Sequence, residues 1–444
     1  MSASFCGLKL LPKAIFLSPI TLASGTRKLP DCPVRVNCAR LGRRVPAKSS
    51  ILVSRNPIFM RLFGSNIFVT IALVMLFAFS EALAQPADSL RELLQTKGAE
   101  NIQYFKDEQG RGHYTLEYRL HRNPVVLLNE LPDWAVKSDT VAVTLMWYGS
   151  PWTTLSGGNV TAGAKDDKPL RRANTSFAGG RPYKLDVSIA PVVFAEFGDE
   201  FDIFRTQLAL APKINYQLPF GLSADLQWIF PIQNDFESRF GFSSRPGQIS
   251  LSYTKSFIPN HIFVASAGTF LNRQYGASVD YVVRAGRNYF GVAANLSATY
   301  AYEDRVLYRE ALEYVSGGVW WMHSFPQHDL WTKVSFERFL YEDYGSRIEL
   351  FRQFGNNEMG LYMTASVRGF NGGVQWAMPL FPKVFYKNKY LQVRPANQFL
   401  FTYEYLRNQN DGESLMKYRQ TDRSLRALHP SFIKNHLLSL LKIL

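Results

Sequence analysis

The chain has 444 residues, of which 14% are aromatic and 19% are charged, whereas about a quarter of the residues in soluble domains are charged. Its net charge of +14 is concentrated in residues 1–85, which hold 11 basic and 2 acidic residues, so the remaining 39 basic and 34 acidic residues nearly balance. This distribution excludes a basic nucleic-acid-binding surface as the main function. All 3 cysteines precede residue 39, which excludes disulfides and thiolate metal sites from the rest of the chain.

A secretory signal peptide is predicted over 60–84. An arginine precedes the 13-residue apolar run 67–79, and an Ala-Leu-Ala sequence ending at Ala84 follows it, which is the order of features in such signals. The run is shorter than the roughly 20 residues that span a membrane, so we expect cleavage after Ala84 rather than a retained anchor. We expect 1–59 to be a misassigned or disordered leader, with translation starting at Met60; an arginine-rich organellar transit peptide is the alternative.

A small α/β domain is predicted over 85–148. Its predicted elements are a helix over 90–97, strands over 101–106 and 113–119, a helix from 124 to about 131, and a strand over 141–148. A domain of about 60 residues is marginally stable by itself, so we expect it to dock on the domain that follows. Residues 149–181 are rich in Gly, Ser, Thr, Asn and Lys and lack apolar periodicity, which predicts a linker or loop.

A mainly β fold, an antiparallel transmembrane β-barrel, is predicted over 182–407. In 222–230, for example, every second residue from Leu222 to Phe230 is apolar. Comparable segments are about 9–14 residues long; a tilted strand needs about 9–11 residues to cross the hydrocarbon layer, whereas soluble strands average about 5–6. Because bacterial barrels usually have an even number of strands, one of the 13 segments is expected to be wrongly assigned, which predicts about 12 strands. A large soluble β-protein is the alternative to a membrane barrel. The segments are 183–195, 207–218, 222–230, 248–257, 261–271, 277–285, 289–302, 312–323, 329–340, 346–354, 359–368, 371–378 and 396–406.

Aromatic residues near the segment ends predict the two girdles of a membrane barrel. These residues are Trp228, Phe230, Tyr289, Phe290, Tyr300, Tyr302, Trp320, Trp321, Tyr341 and Tyr344. Pro191 and Pro212 fall inside segments and predict bulges or the lipid boundary, because proline removes a ladder donor. Residues 408–444 form a tail, for which two interpretations stay open: a short amphipathic helix, or the product of a damaged reading frame.

Charged residues on the polar faces of the segments are predicted to point into the lumen, because a charge facing lipid costs a few kcal/mol at the midplane. They fill the interior by mutual ion pairing, or they form a surface that binds or conducts a polar ligand such as a sugar polymer, and the two roles can coexist. The candidates are Asp186, Lys213, Asp225, Asp280, Arg284, Lys333, Glu337, Arg347, Glu349 and Arg368. The sequence contains no G-x-S-x-G, H-E-x-x-H or P-loop motif; we therefore expect no catalytic, cofactor-binding or metal site.

Two stretches carry a resemblance to a known family. The first contains the sequence LLQTKGAENI over 93–102 and the sequence YTLEYR over 114–119, and the second is GGVQWAMPL over 372–380. The first resembles the helix, the Gly-x-Glu-Asn turn and the paired strand of the YjbH-type (also written YbjH) exopolysaccharide biosynthesis proteins. The second resembles a late strand of the same family, which begins with glycine. The resemblance implies an outer-membrane β-barrel with a small periplasmic α/β domain, acting in export or surface assembly of extracellular polysaccharide rather than in its synthesis.

The expected function is therefore non-catalytic assistance of polysaccharide export in a Gram-negative cell envelope. The expected partners are outer-membrane lipid, a polysaccharide ligand and periplasmic export proteins, with no nucleic acid. A general porin or small-molecule channel, and a barrel-embedded lipid or glycan hydrolase, are the alternatives.

Overall fold

The computed structural model describes residues 89–106, 110–163, 183–197, 204–235, 244–303, 306–380, 384, 386–405, 412–415 and 421–441. The leader and signal peptide predicted over 1–84 lie outside these residues. Within the described part of the chain, no helix is both long and apolar enough to cross a membrane.

Residues 89–162 form an α/β module, built on a five-stranded sheet in the order β1-β2-β3-β4-β5. Its elements are α1 (Ser89–Thr96), β1 (Ala99–Lys106), β2 (Gly112–Tyr118), α2 (Val125–Leu128), α3 (Asp133–Lys137), β3 (Val141–Trp147), β4 (Ser150–Ser156) and β5 (Asn159–Ala162). Strands β2 and β3 are parallel and the other neighbours are antiparallel. The predicted elements are confirmed, but the linker prediction is wrong for 150–162, which adds two strands. Trp152 and Leu155 of β4 are buried and supply its apolar contacts. The many Ser and Thr residues around them hide the apolar periodicity that would have predicted a strand.

Thirteen strands close into a barrel. They are β6 (Leu185–Phe197), β7 (Phe204–Gln217), β8 (Leu222–Asn234), β9 (Arg245–Lys255), β10 (His261–Thr269), β11 (Gln274–Ala285), β12 (Asn288–Glu303), β14 (Tyr314–Phe325), β15 (Leu330–Arg338), β16 (Tyr344–Phe354), β17 (Asn357–Ser366), β18 (Phe370–Pro379) and β21 (Gln398–Tyr405). Short strands β13 (Val306–Arg309), β19 (Tyr386–Lys387) and β20 (Leu391–Pro395) pair at the edges of this ring.

The odd strand number makes the closing ladder parallel. Strand β6 pairs antiparallel with β7 on one side and parallel with β20 and β21 on the other. Each of the 13 predicted segments corresponds to one barrel strand, so the mainly β barrel fold is confirmed, whereas the reduction to an even 12 was wrong. A parallel ladder also satisfies the backbone groups that a sheet in lipid must pair.

Alternation along the strands puts apolar side chains outside and polar ones inside. In β7, Leu208, Leu210 and Ile214 are exposed, whereas Gln207 and Lys213 are buried. Because lipid tails favour an apolar outer surface and disfavour charge, this barrel has the surface of a membrane-spanning barrel.

The predicted aromatic girdles are only half right. Phe290 and Trp321 point outward, whereas Tyr289 and Tyr300 are buried within the protein. Consecutive strand residues point to opposite faces, so an adjacent aromatic pair cannot place both rings in lipid. Pro191 and Pro212 both lie within the regular β6–β7 ladder, opposite Leu210 and Ile189, so the bulge predicted at these prolines is absent from that ladder.

The module lies at one end of the barrel, called here the module end. Ser256 in a turn at this end donates its backbone N–H to Ser150 Oγ at 3.1 Å, and Arg122 donates to the Asn356 carbonyl at 2.6 Å. Connections between barrel strands at this end, up to β17, have two to five residues, whereas those at the opposite free end have three to ten.

The tail turns back into the barrel. Gly412 lies at the free end, where its N–H donates to Asp343 Oδ2 at 2.8 Å. Helix α4 (Thr421–Ala427) lies inside the lumen, and α5 (Pro430–Leu441) lies at the module end, where Asn435 donates to Asp329 Oδ1 at 3.2 Å. Of the two interpretations of the tail, the helical one agrees with these two helices. Helix α5 completes the module core because Phe432, Ile433 and Leu437 pack against its buried leucines.

Candidate functional site

Nine of the ten predicted lumen residues lie on the inner side of the barrel wall. Five of them are buried, namely Asp186, Lys213, Asp225, Arg284 and Glu349. Four others line a cavity in the lumen, namely Asp280, Lys333, Glu337 and Arg347. The prediction for Arg368 was wrong: β17 ends at Ser366, and Arg368 is exposed in the turn before β18, where it donates to the Tyr341 carbonyl.

Two predicted residues pair with each other, as the ion-pairing interpretation requires. Lys213 Nζ lies 2.8 Å from Asp225 Oδ1, and Asn215 also donates to that carboxylate at 2.7 Å. Asp186 instead pairs with Arg394 of β20, at 2.6 Å. This second pair bridges the parallel closing ladder between β6 and β20.

The strongest cluster in the lumen surrounds Glu358, which the sequence analysis missed. Its carboxylate lies 2.9 Å from Arg122 of the module, 3.1 Å from Arg423 of α4 and 2.8 Å from Arg426 of α4. All four side chains are less than 10% exposed. One carboxylate on the barrel wall therefore joins the module, the wall and the tail, and we call these four residues the Glu358 node.

A second group of charges continues from the node toward the free end. Asp422 of α4 contacts both Arg426 at 3.3 Å and Lys333 at 3.4 Å. Lys333 also pairs with Glu349 at 3.1 Å, and Glu349 pairs with Arg347 at 3.1 Å. The position of Glu358 could have been predicted from the sequence. It directly precedes the predicted segment 359–368, and alternation places it on the inner face because Met359 faces outward.

An aromatic cluster fills the module end of the lumen. Trp152 of β4 stacks on Tyr289 of the barrel wall with centroids 6.2 Å apart, and the Arg284 guanidinium lies 4.3 Å above the Trp152 ring. Trp147 of β3 and Leu425 of α4 belong to the same buried cluster. The β3–β4 hairpin and α4 thus form a plug in this part of the lumen.

His429, between α4 and α5, is packed edge-on against Tyr289 and Trp331. Its Nε2 donates to the Gly286 carbonyl at 3.2 Å, while Nδ1 accepts from the Ser431 N–H at 3.3 Å, which is the arrangement of a neutral ring. Burial lowers the pKa of His429 to about 4, with a further contribution from nearby arginines. This ring therefore stays neutral in neutral and mildly acidic solution.

The module is also anchored near the start of β6. Glu117 of β2 accepts a hydrogen bond from the Tyr183 hydroxyl at 2.7 Å, and Arg119 pairs with Glu100. Arg119 also donates to Asn215 on β7. Burial raises the pKa of Glu117, opposed by the Tyr183 hydroxyl and the Gly149 N–H. The module is therefore held to the wall at several separate points, including the Glu358 node, the aromatic cluster and this one.

These contacts hold the module, the tail and the barrel wall together. The charges named above are paired across elements, and among the residues that the structure describes no group of three or more His, Asp or Glu side chains is placed to hold a metal ion. The arrangement can close the lumen and bind a polar molecule in the space left open.

Comparisons with known proteins give little further information. No protein-family model and no curated protein matches the chain. Among the similar solved structures are a loop L8 deletion mutant of OmpT, an outer membrane protein of Vibrio cholerae (8% identity, TM-score 0.22, 43% of this chain and 84% of that chain), and the in-vitro folded OmpT (8% identity, TM-score 0.23, 43% of this chain and 79% of that chain). At these values the likeness carries no argument, and the barrel assignment depends on the strand pairing described above.

Proposed function

We propose that this protein is an outer-membrane β-barrel that assists export or surface assembly of extracellular polysaccharide, as a closed platform without catalytic activity. The observation that carries the proposal is the plug. Trp147 and Trp152 of the module and Leu425 of α4 pack together against the inner barrel wall, and the Glu358 node ties the same segments to that wall. A lumen whose module end is filled by packed side chains favours a docking role over a porin.

The turn lengths support a periplasmic location for the module. Outer-membrane barrels have short periplasmic turns and longer extracellular loops. Five of the six connections at the module end have two to five residues, and the sixth, 380–397 between β18 and β21, has 18 residues. In this orientation the module meets periplasmic export partners, while the free end faces outside the cell. The polysaccharide substrate class is supported by the sequence resemblance at 93–102, 114–119 and 372–380.

Planar-bilayer recordings test the closed platform. The purified full chain is expected to give no steady current, whereas a variant lacking residues 421–444 is expected to conduct, because α4 and α5 are removed from the lumen and its module end. Correct folding of both proteins is checked by heat-modifiable gel migration. A steady, porin-like current from the full chain would contradict the proposal.

A gene deletion tests the polysaccharide role. We expect the strain without this protein to release or display less extracellular polysaccharide, with recovery by the full chain but not by a chain lacking residues 89–162. The shortened chain must still reach the outer membrane, as measured by fractionation. Unchanged polysaccharide in the deletion strain would refute the proposed role.

A further inference from the structure

The plug leaves a cavity of about 430 Å³ in the lumen. The cavity extends from Arg423 and Arg426 of α4 to Glu413 and Leu415 near the free end. This volume lies within the range of roughly 300–1,000 Å³ that is usual for small-molecule pockets. The docking role proposed for the module uses none of this space.

The charges around the cavity nearly cancel. Five cationic and six acidic side chains line it: Lys333, Arg338, Arg347, Arg423, Arg426, Asp280, Glu337, Glu349, Glu404, Glu413 and Asp422. Such a lining gives no strong net field for selecting a cation or an anion. It does offer hydrogen-bond donors and acceptors next to one another.

Several of these groups retain hydrogen-bonding capacity toward a ligand. Glu404 accepts from the Tyr362 hydroxyl at 2.9 Å, and Glu337 accepts from Ser414 at 2.9 Å; an ionised carboxylate has about four acceptor positions. Within the described residues, Arg423 Nη1 and Asn295 Oδ1 are buried and make no hydrogen bond. Both residues are more than 90% buried and line the cavity, and an unpaired buried polar group is costly.

Aromatic rings complete the lining. Trp320 and Tyr362 both border the cavity, and each has a cation over its ring: Lys333 Nζ lies 5.5 Å from the Trp320 centroid, and the Arg347 guanidinium lies 3.9 Å from the Tyr362 centroid. The Arg347 guanidinium covers one face of the Tyr362 ring, so the Trp320 ring is the flat apolar surface of the lining, with the Lys333 ammonium as a donor near it. Polar groups of both kinds around a flat apolar surface match a sugar, whose hydroxyls donate and accept and whose ring has an apolar face.

We propose that this cavity is a binding site for a neutral, hydroxyl-rich ligand, namely a short stretch of uncharged oligosaccharide. The inference deepens the proposed function and rests on it for the biological source of the sugar. Glu404 and Glu337 accept from sugar hydroxyls, Arg347 and Arg423 donate to sugar oxygens, and Trp320 packs against a sugar ring. The cavity holds a segment of the oligosaccharide toward the free end of the barrel, while the plug closes the module end.

Tryptophan fluorescence of the detergent-solubilised full chain tests the site. The probes are cellotetraose and maltotetraose, compared with a tetramer of glucosamine (cationic) and a tetramer of galacturonate (anionic). We expect a saturable fluorescence change with at least one neutral tetrasaccharide and at least tenfold weaker binding of both charged ones. Trp320→Phe should remove the change, whereas Trp321→Phe should retain it because Trp321 is the adjacent residue on the outer face.

Calorimetry with the same sugars tests the polar contacts. Glu404→Gln and Arg423→Gln are each expected to raise the Kd at least tenfold, and Lys137→Gln on the exposed module surface is the control with unchanged Kd. Heat-modifiable migration selects folded variants, and Glu404→Gln decides the result if Arg423→Gln does not fold. No saturable response to either neutral tetrasaccharide, tighter binding of a charged one, or an equal response in Trp320→Phe overturns the proposal.

The two proposals fail in different ways. Sugar binding by the purified protein, together with normal polysaccharide in the deletion strain, leaves the cavity assignment standing and removes the export role. A polysaccharide defect in that strain without sugar binding removes the cavity assignment alone.

Discussion

Replacing Glu358 with glutamine removes the charge that three buried arginine side chains share at 2.8–3.1 Å. The Glu358 side chain is 3% exposed, so water cannot replace the lost carboxylate without opening the structure. Breaking a buried ion pair by removing one partner costs about 3–5 kcal/mol. We expect this range for Glu358→Gln, expressed mainly as weaker docking of the module and α4 on the wall, because the barrel hydrogen-bond ladders do not involve this carboxylate.

Hydrogen exchange of the detergent-solubilised protein measures this effect. Protection of α4 and α5 amides should fall by about two orders of magnitude or more, since about 1.4 kcal/mol corresponds to a tenfold change, while amides of the barrel strands keep their protection. The control is Asp133→Asn, which breaks the exposed Lys137–Asp133 pair and is expected to cost at most about 0.5 kcal/mol.

A second substitution distinguishes the loss of the shared negative charge from the loss of a single contact at the node. Arg423→Met removes one of three cations from the same carboxylate and relieves its repulsion with Arg426, so it should cost less than Glu358→Gln. Equal protection of α4 in wild type and Glu358→Gln, or a larger loss in Arg423→Met than in Glu358→Gln, would show that the node does not hold the tail in the lumen.

Three further predictions concern pH, lipid contact and backbone geometry. The pKa of His429 is about 4 in the folded protein, whereas its ordinary value is 6.5, so the unfolded state binds the proton at a higher pH than the folded state does. The free energy of unfolding should therefore be unaffected by this group above pH 6.5 and should fall by ~3 kcal/mol as the pH decreases to 4. His429→Gln should flatten that part of the stability–pH curve in chemical denaturation, and an unchanged slope would contradict the assignment. Leu361→Arg on the outer face should cost ~2–4 kcal/mol in urea-dependent folding into vesicles if this residue lies near the bilayer midplane; no cost would argue against a lipid-facing position. Gly268 has φ +144°, and a Cβ there would lie 2.0 Å from the Ile249 carbonyl oxygen, so Gly268→Ala should lower the unfolding temperature more than Gly286→Ala, whose Cβ meets no atom within 4 Å.

Local pattern was sufficient to predict the barrel strands. Alternation of apolar and polar residues has a period of two in any strand, so segments such as 222–230 could be read individually, and each matched one strand of the ring. The same periodicity placed Lys213, Asp225 and Glu349 inside, because a charge on the opposite face would meet lipid. Arg368 lies just beyond the end of β17, and alternation could not locate that end because a strand stops where its pairing stops.

The sequence by itself therefore determined a long-stranded barrel with an apolar exterior, a charged interior and an attached α/β module. Only the tertiary structure decided the odd strand number, the parallel closing ladder and the path of the tail into the lumen. The Glu358 node joins Arg122, Glu358 and the arginine pair of α4, three parts of the chain that are too far apart for any local pattern to relate them. Those contacts depend on which segments fit the space that the barrel encloses, and that space exists only after the ring has closed.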